Sequence, residues 1–165
     1  SGIYKGFYDL KMIGAIGKLP RIIGVQAAGC NPVEIALKTG KFTPQNGNTI
    51  ADSIAVGVPR NRLKALRGLK ESKGDCISVT DDEIRTALIE LPRTTAVFGE
   101  PAAVTAYAGF KKDASAGKIG EKETVVVLIT GNGLKDIESA ISVCQLPNPV
   151  APNMQAVESA IKSLS

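Results

Sequence analysis

The residues most suited to chemistry are Thr130-Gly131-Asn132-Gly133, where the most apolar run of the chain, Val125 to Ile129, breaks into a glycine-bracketed polar turn. A hydroxyl there suits a ligand, because open α/β sheets bind in the crevice outside the carboxyl ends of their strands. Glycine lets the backbone approach a ligand or simply ends the strand, and the four residues alone leave both readings open. The carboxylates Asp81, Asp82 and Glu83 could suggest acid–base work. With Thr80 before them they also form a capping box, at a helix start where unpaired N–H groups and the helix dipole favour negative charge, and that reading is preferred. The three cysteines, Cys30, Cys76 and Cys144, are far apart and odd in number, and the chain has no histidine. No His-based triad is therefore expected. No metal site and no disulfide framework are expected, and a reducing cytoplasm is the default setting.

A chain of 165 residues that is 44% hydrophobic and 22% charged has the composition of one soluble domain with a substantial core. Its 20 basic and 16 acidic residues are interspersed, and only 4% of residues are aromatic, so no basic, stacking footprint for nucleic acid is present. No apolar run reaches membrane-spanning length, and no signal peptide is read at the start.

The turn must be held by a strand, and Val125 to Ile129, β-branched and bounded by charged segments, predicts a central strand buried on both faces. Arg21–Ala28, Cys76–Val79 and Thr95–Phe98 are the other expected strands. The helices predicted between them are Ser1–Leu10, with Ile3, Phe7 and Leu10 on one face; Val33–Thr39, with Pro32 at its start and Gly40 at its stop; and Arg60–Lys73, with Leu63, Leu66 and Leu69 as its stripe. They continue with a helix marked by Ile84, Ala87, Leu88 and Leu91 after the capping box, one from Pro101 to about Ala114, Leu134–Val143, and Asn153–Leu164 after a stiff link through Pro147, Pro149 and Pro152. Residues 41–57 are irregular, and the small residues from Ala51 to Gly57 permit close approach to a flat ligand or an ordinary loop. Strands alternating with helices imply an α/β fold with an open, mostly parallel twisted sheet. The first helix begins as if in mid-element, which predicts an earlier segment of the same fold.

Four stretches carry a resemblance: TIADSIAVGVPRNRLKALR (Thr49 to Arg67), VTDDEI (Val79 to Ile84), GEPAAVTAYAGF (Gly99 to Phe110) and VVVLITGNGLKD (Val125 to Asp136). In this order and spacing they resemble the C-terminal half of threonine synthases, pyridoxal-phosphate enzymes of fold type II, from SGIYKGF to about Asp136. The resemblance implies that residues 1–165 are the C-terminal part of the large cofactor-binding domain. It also implies pyridoxal 5'-phosphate as cofactor, O-phospho-L-homoserine as substrate, the N-terminal remainder of the enzyme as partner, and a homodimer. In that family the hydroxyl closing the last strand bonds the pyridine nitrogen, and the matching residue is Thr130. Asn132 stands where the family usually has histidine. The Schiff-base lysine and the phosphate loop belong upstream in the family, so no catalytic residue is expected in this segment. Cysteate synthase, which uses O-phosphoserine and sulfite, is a similar alternative. A non-catalytic α/β binding module is another, supported only by Gly131-x-Gly133, which lacks the third glycine of a dinucleotide fingerprint.

Overall fold

The computed structural model describes residues 1–144 and 149–164. In chain order the elements are α1 (Gly2–Met12), β1 (Ile23–Ala27), α2 (Pro32–Thr39), α3 (Arg62–Glu71), β2 (Asp75–Val79), α4 (Asp81–Thr95), α5 (Pro101–Ser115), α6 (Ile137–Val143) and α7 (Met154–Leu164), with single 3-10 turns at Asp52–Ile54 and Gly133–Lys135. Strands β1 and β2 pair in parallel, Ile23 opposite Asp75 through to Ala27 opposite Val79. Successive side chains of a strand point to opposite faces, and each face of this pair is covered by helices. On one face Gln26 Oε1 accepts from the Val33 and Glu34 N–H groups at 3.0 and 3.1 Å, satisfying donors that the start of α2 cannot pair internally. Leu69 of α3 lies beside Gly24 on the same face. On the other face α5 crosses Val25 so closely that a Cβ on Gly109 would fall 2.5 Å from it. There Ala27, Val79, Ile84, Ala87, Leu88, Leu91, Val104 and Ala108 make the core, together with Ala51 from the irregular stretch.

Several sequence expectations need correction. Thr95–Phe98 is not a strand: α4 runs to Thr95 and ends at Ala96 in the left-handed conformation, φ 59°. The helix continues past Pro92 to the Ala96 N–H, which donates to the Pro92 carbonyl at 3.0 Å, while the Thr94 and Thr95 hydroxyls turn back onto the Glu90 and Leu91 carbonyls at 3.0 and 2.7 Å. Glu123–Ile129 is not a buried central strand either. Among the described residues it has no ladder partner, and Val126 and Leu128 are 78% and 48% exposed. Its side chains do alternate: Val125, Val127 and Ile129 turn toward α4 and α5, and Ile129 packs on Val104. A strand buried on both faces needs a neighbouring strand and a second helix layer, and the described residues provide one layer only.

Leu63 is 72% exposed, so the buried side of α3 is Gly68 and Leu69, with Gly68 pressed against Tyr4 of α1. In α1 the expected Ile3 and Leu10 are exposed. Pro147 lies outside the described residues. Among the described residues no helix is long and apolar enough to cross a membrane.

Candidate functional site

Thr130 is exposed, and among the described residues its hydroxyl has no hydrogen-bond partner. The turn behind it is well held. Glu100 N–H donates to the Gly131 carbonyl at 3.0 Å and Gly133 N–H to the Phe98 carbonyl at 3.0 Å, around an antiparallel bridge between Gly99 and Asn132. Both glycines approach side chains from across the turn closely. A Cβ on Gly131 would lie 1.8 Å from Glu100 Oε1, and one on Gly133 2.4 Å from the Phe98 ring. Asn132 Oδ1 accepts from Leu134 N–H at 2.9 Å and so caps the following 3-10 turn, a local role for the residue at the family's histidine position. Asp136 Oδ1 then accepts from Ser139 N–H at 3.0 Å and starts α6.

Glu100 was not singled out as a site residue in the sequence reading, nor was Lys135. Glu100 is 7% exposed, and Lys135 Nζ reaches its carboxylate at 3.2 Å. The available signal was positional: a carboxylate before Pro101 at a helix start, in a neighbourhood otherwise made of alanine, valine and glycine.

The small-residue stretch serves the protein's own packing. A Cβ on Gly29, Gly47 or Gly57 would strike Asn48, Ala55 or Gln45 respectively, each within 2.8 Å. Asp81 pins this stretch to the end of β2 by accepting from Thr49 Oγ1 at 2.5 Å and Ile50 N–H at 3.1 Å. Thr80 and Glu83 form the capping box in both directions, Glu83 N–H to Thr80 Oγ1 at 3.2 Å and Thr80 N–H to Glu83 Oε2 at 2.6 Å. Burial alone would raise the Glu83 carboxyl, but the Thr80 N–H and the Lys112 ammonium outweigh it and hold it below the usual range. A carboxylate so stabilised as an anion is a poor proton donor near neutrality. Burial pushes the Cys76 thiol up to about 12 and raises Cys30, while Cys144 is exposed. Among the described residues no cluster of three or more metal-ligating side chains exists.

A cavity of about 680 Å³ lies between the 119–129 segment and helices α4 and α5. Its lining is apolar apart from Thr95, Tyr107 and the carboxylates Glu121 and Glu123, and Thr130 does not line it. It is a packing space under one face of that segment, and the Thr130 hydroxyl stands outside it.

The family model for pyridoxal-phosphate dependent enzymes matches residues 1–131. A threonine synthase of Methanosarcina acetivorans is 42% identical over 98% of this chain and 40% of its own length. That of Methanocaldococcus jannaschii is 38% identical over 99% of this chain and 41% of its own length. The crystal structure of Escherichia coli threonine synthase superposes with a TM-score of 0.61 at 21% identity, covering 85% of this chain and 32% of that one, a likeness of fold. The chain therefore spans about two fifths of the length of these curated relatives. The fold is that of the fold type II enzymes. The residues present suit the family's cofactor at one atom: an exposed, unpartnered hydroxyl on a rigid turn can donate to a pyridine nitrogen.

Proposed function

We propose, for a chain that belongs to the pyridoxal-phosphate dependent enzyme family, the role of C-terminal part of the large cofactor-binding domain of a threonine synthase. The complete enzyme converts O-phospho-L-homoserine and water to L-threonine and phosphate. The observation that carries this reading is the 42% identity to the Methanosarcina acetivorans threonine synthase along 98% of the chain.

When bound, the cofactor supplies an electron sink for negative charge developing on substrate carbon. Thr130 would hold its ring nitrogen. A neutral hydroxyl stabilises the unprotonated nitrogen where a carboxylate would favour the protonated one, so this residue moderates the sink. Gly131 keeps side-chain bulk away from the ring, and the backbone bonds to Phe98 and Glu100 keep the hydroxyl in one place. The Schiff-base lysine and phosphate loop are assigned to an upstream part of the same enzyme, which also supplies the neighbours of residues 123–130. The holoenzyme is a cytoplasmic homodimer in this reading.

The test gives the complete enzyme either O-phospho-L-homoserine alone or O-phosphoserine with sulfite. Threonine and phosphate from the first, with no cysteate from the second, is the expected result. Cysteate formation, or no phosphate release from the first, overturns the assignment.

A further inference from the structure

The turn that presents Thr130 is fastened to α5 by more than backbone. Glu100 stands at the N-cap of α5, yet its side chain caps no N–H of that helix. Its carboxylate lies against Gly131 instead, and Lys135, on the far side of the turn, closes on it at 3.3 Å to Oε1 and 3.2 Å to Oε2. The Glu100 side chain is 9% exposed and that of Lys135 62%, so the carboxylate is the member that depends on its partner. A buried charge stripped of its partner destabilises its surroundings far more than the intact pair stabilises them. The backbone bonds hold Gly131 and Gly133, and the ion pair straddles both by joining the residue that meets Gly131 to the residue two beyond Gly133.

We propose that Glu100 and Lys135 are positioning residues: their ion pair latches the Gly131-Asn132-Gly133 turn onto α5 and so sets where the Thr130 hydroxyl stands for the cofactor ring. This rests on the reading of Thr130 given above. Neither residue touches the reacting atoms. Arginine at position 135 keeps the charge, whereas methionine keeps the reach and loses it.

The complete enzyme is compared as wild type, Lys135→Met, Lys135→Arg, Thr130→Val, Thr130→Val with Lys135→Met, and Glu100→Gln with Lys135→Met. Two quantities are read: the cofactor dissociation constant, and backbone amide exchange in the cofactor-free protein at positions 100 and 133, whose N–H groups donate to the Gly131 and Phe98 carbonyls. Lys135→Met is expected to weaken cofactor binding and speed exchange by about tenfold each, a coupling usual within one hydrogen-bonded network, and Lys135→Arg to stay near wild type. In the Thr130→Val background Lys135→Met should add almost nothing to the loss of binding, because the latch acts through that hydroxyl. The Glu100→Gln, Lys135→Met pair removes the stranded charge, so thermal stability should recover while cofactor binding stays weak. Recovery of both shows a structural role alone and overturns the latch, as does an undiminished effect of Lys135→Met in the Thr130→Val background. Unchanged exchange in Lys135→Met also overturns the latch, whatever Thr130 does. Wild-type binding by Thr130→Val instead removes the ring contact and with it the latch's stated purpose.

Discussion

A hydroxyl and a carboxylate of similar reach do different things to a pyridine nitrogen, and under the proposed function Thr130 is the place where this chain makes that choice. Thr130→Val keeps the shape and leaves the ring nitrogen without its donor, a loss of about 1–3 kcal/mol for an unsatisfied buried polar atom. Titration of the complete enzyme with cofactor should show correspondingly weaker binding, and unchanged affinity would remove Thr130 from the site. Thr130→Asp should favour the protonated ring and raise side reactions, abortive transamination among them, relative to threonine formation, measured as the ratio of products. The cysteines offer a check on burial. Cys76, pushed up to about 12 by burial, and buried Cys30 should resist alkylation at neutral pH, whereas exposed Cys144 should label, as peptide mapping before and after denaturation would reveal. Labelling of Cys76 in the native protein would contradict its placement in the sheet. The hydroxyl was legible as a polar residue ending an apolar run. Glu100 was not, because its importance comes from meeting Gly131 and Lys135 across 31 and 35 residues, and no local pattern reports that.

Helix α4 shows what a local pattern does report. Thr80 and Glu83 announce its start, and Ile84, Ala87, Leu88 and Leu91 all prove buried at the spacing their sequence predicts. Thr80→Ala should lower stability by about 1 kcal/mol, read from the denaturation midpoint of the complete enzyme, and an unchanged midpoint would contradict the cap. The end of the same helix was misread, since Thr94-Thr95-Ala96-Val97-Phe98 has the β-branched and aromatic look of a strand. There the threonine hydroxyls turn back onto helix carbonyls, and the packing of Leu88 and Leu91 in the core carries the helix into a segment of strand-like propensity. The start of α2 carries a pH dependence. Burial raises the Glu34 carboxyl, but hydrogen bonds from Lys38, Ser78 and Asn31 outweigh it, so its folded value lies below the ordinary 4.5. The stability this group contributes is therefore complete above 4.5 and lost as pH falls through the lower folded value. Glu34→Gln should flatten the acid limb of stability against pH, and an unaltered acid limb would show that the group is not held as an anion.

For the molecule as a whole, the parallel α/β plan was legible from alternating apolar runs and helical stripes, and β1 and β2 occupy the expected segments. The burial of Val125–Ile129 was not, because a run of valines reports the affinity of a segment for an interior without saying what covers it. Val126 remains in water and forgoes most of the about 1.5–3 kcal/mol that full burial would contribute, and Leu128, 48% exposed, forgoes part of it. Under the proposed function their cover comes from the upstream part of the enzyme. Amides of residues 123–130 should then exchange freely in this chain alone and become protected in the complete enzyme; equal exchange in both would leave the segment uncovered. The chain alone should also form no threonine, its lysines lying outside the family's Schiff-base context. The reaction itself is tested most directly with oxygen isotopes. The complete enzyme, supplied with O-phospho-L-homoserine in water labelled with heavy oxygen, should release phosphate that leaves the γ carbon with the bridging oxygen still bound to phosphorus and so carries no label. The threonine should carry the label in its new β-hydroxyl. Labelled phosphate appearing with homoserine would reveal simple ester hydrolysis and contradict the assignment.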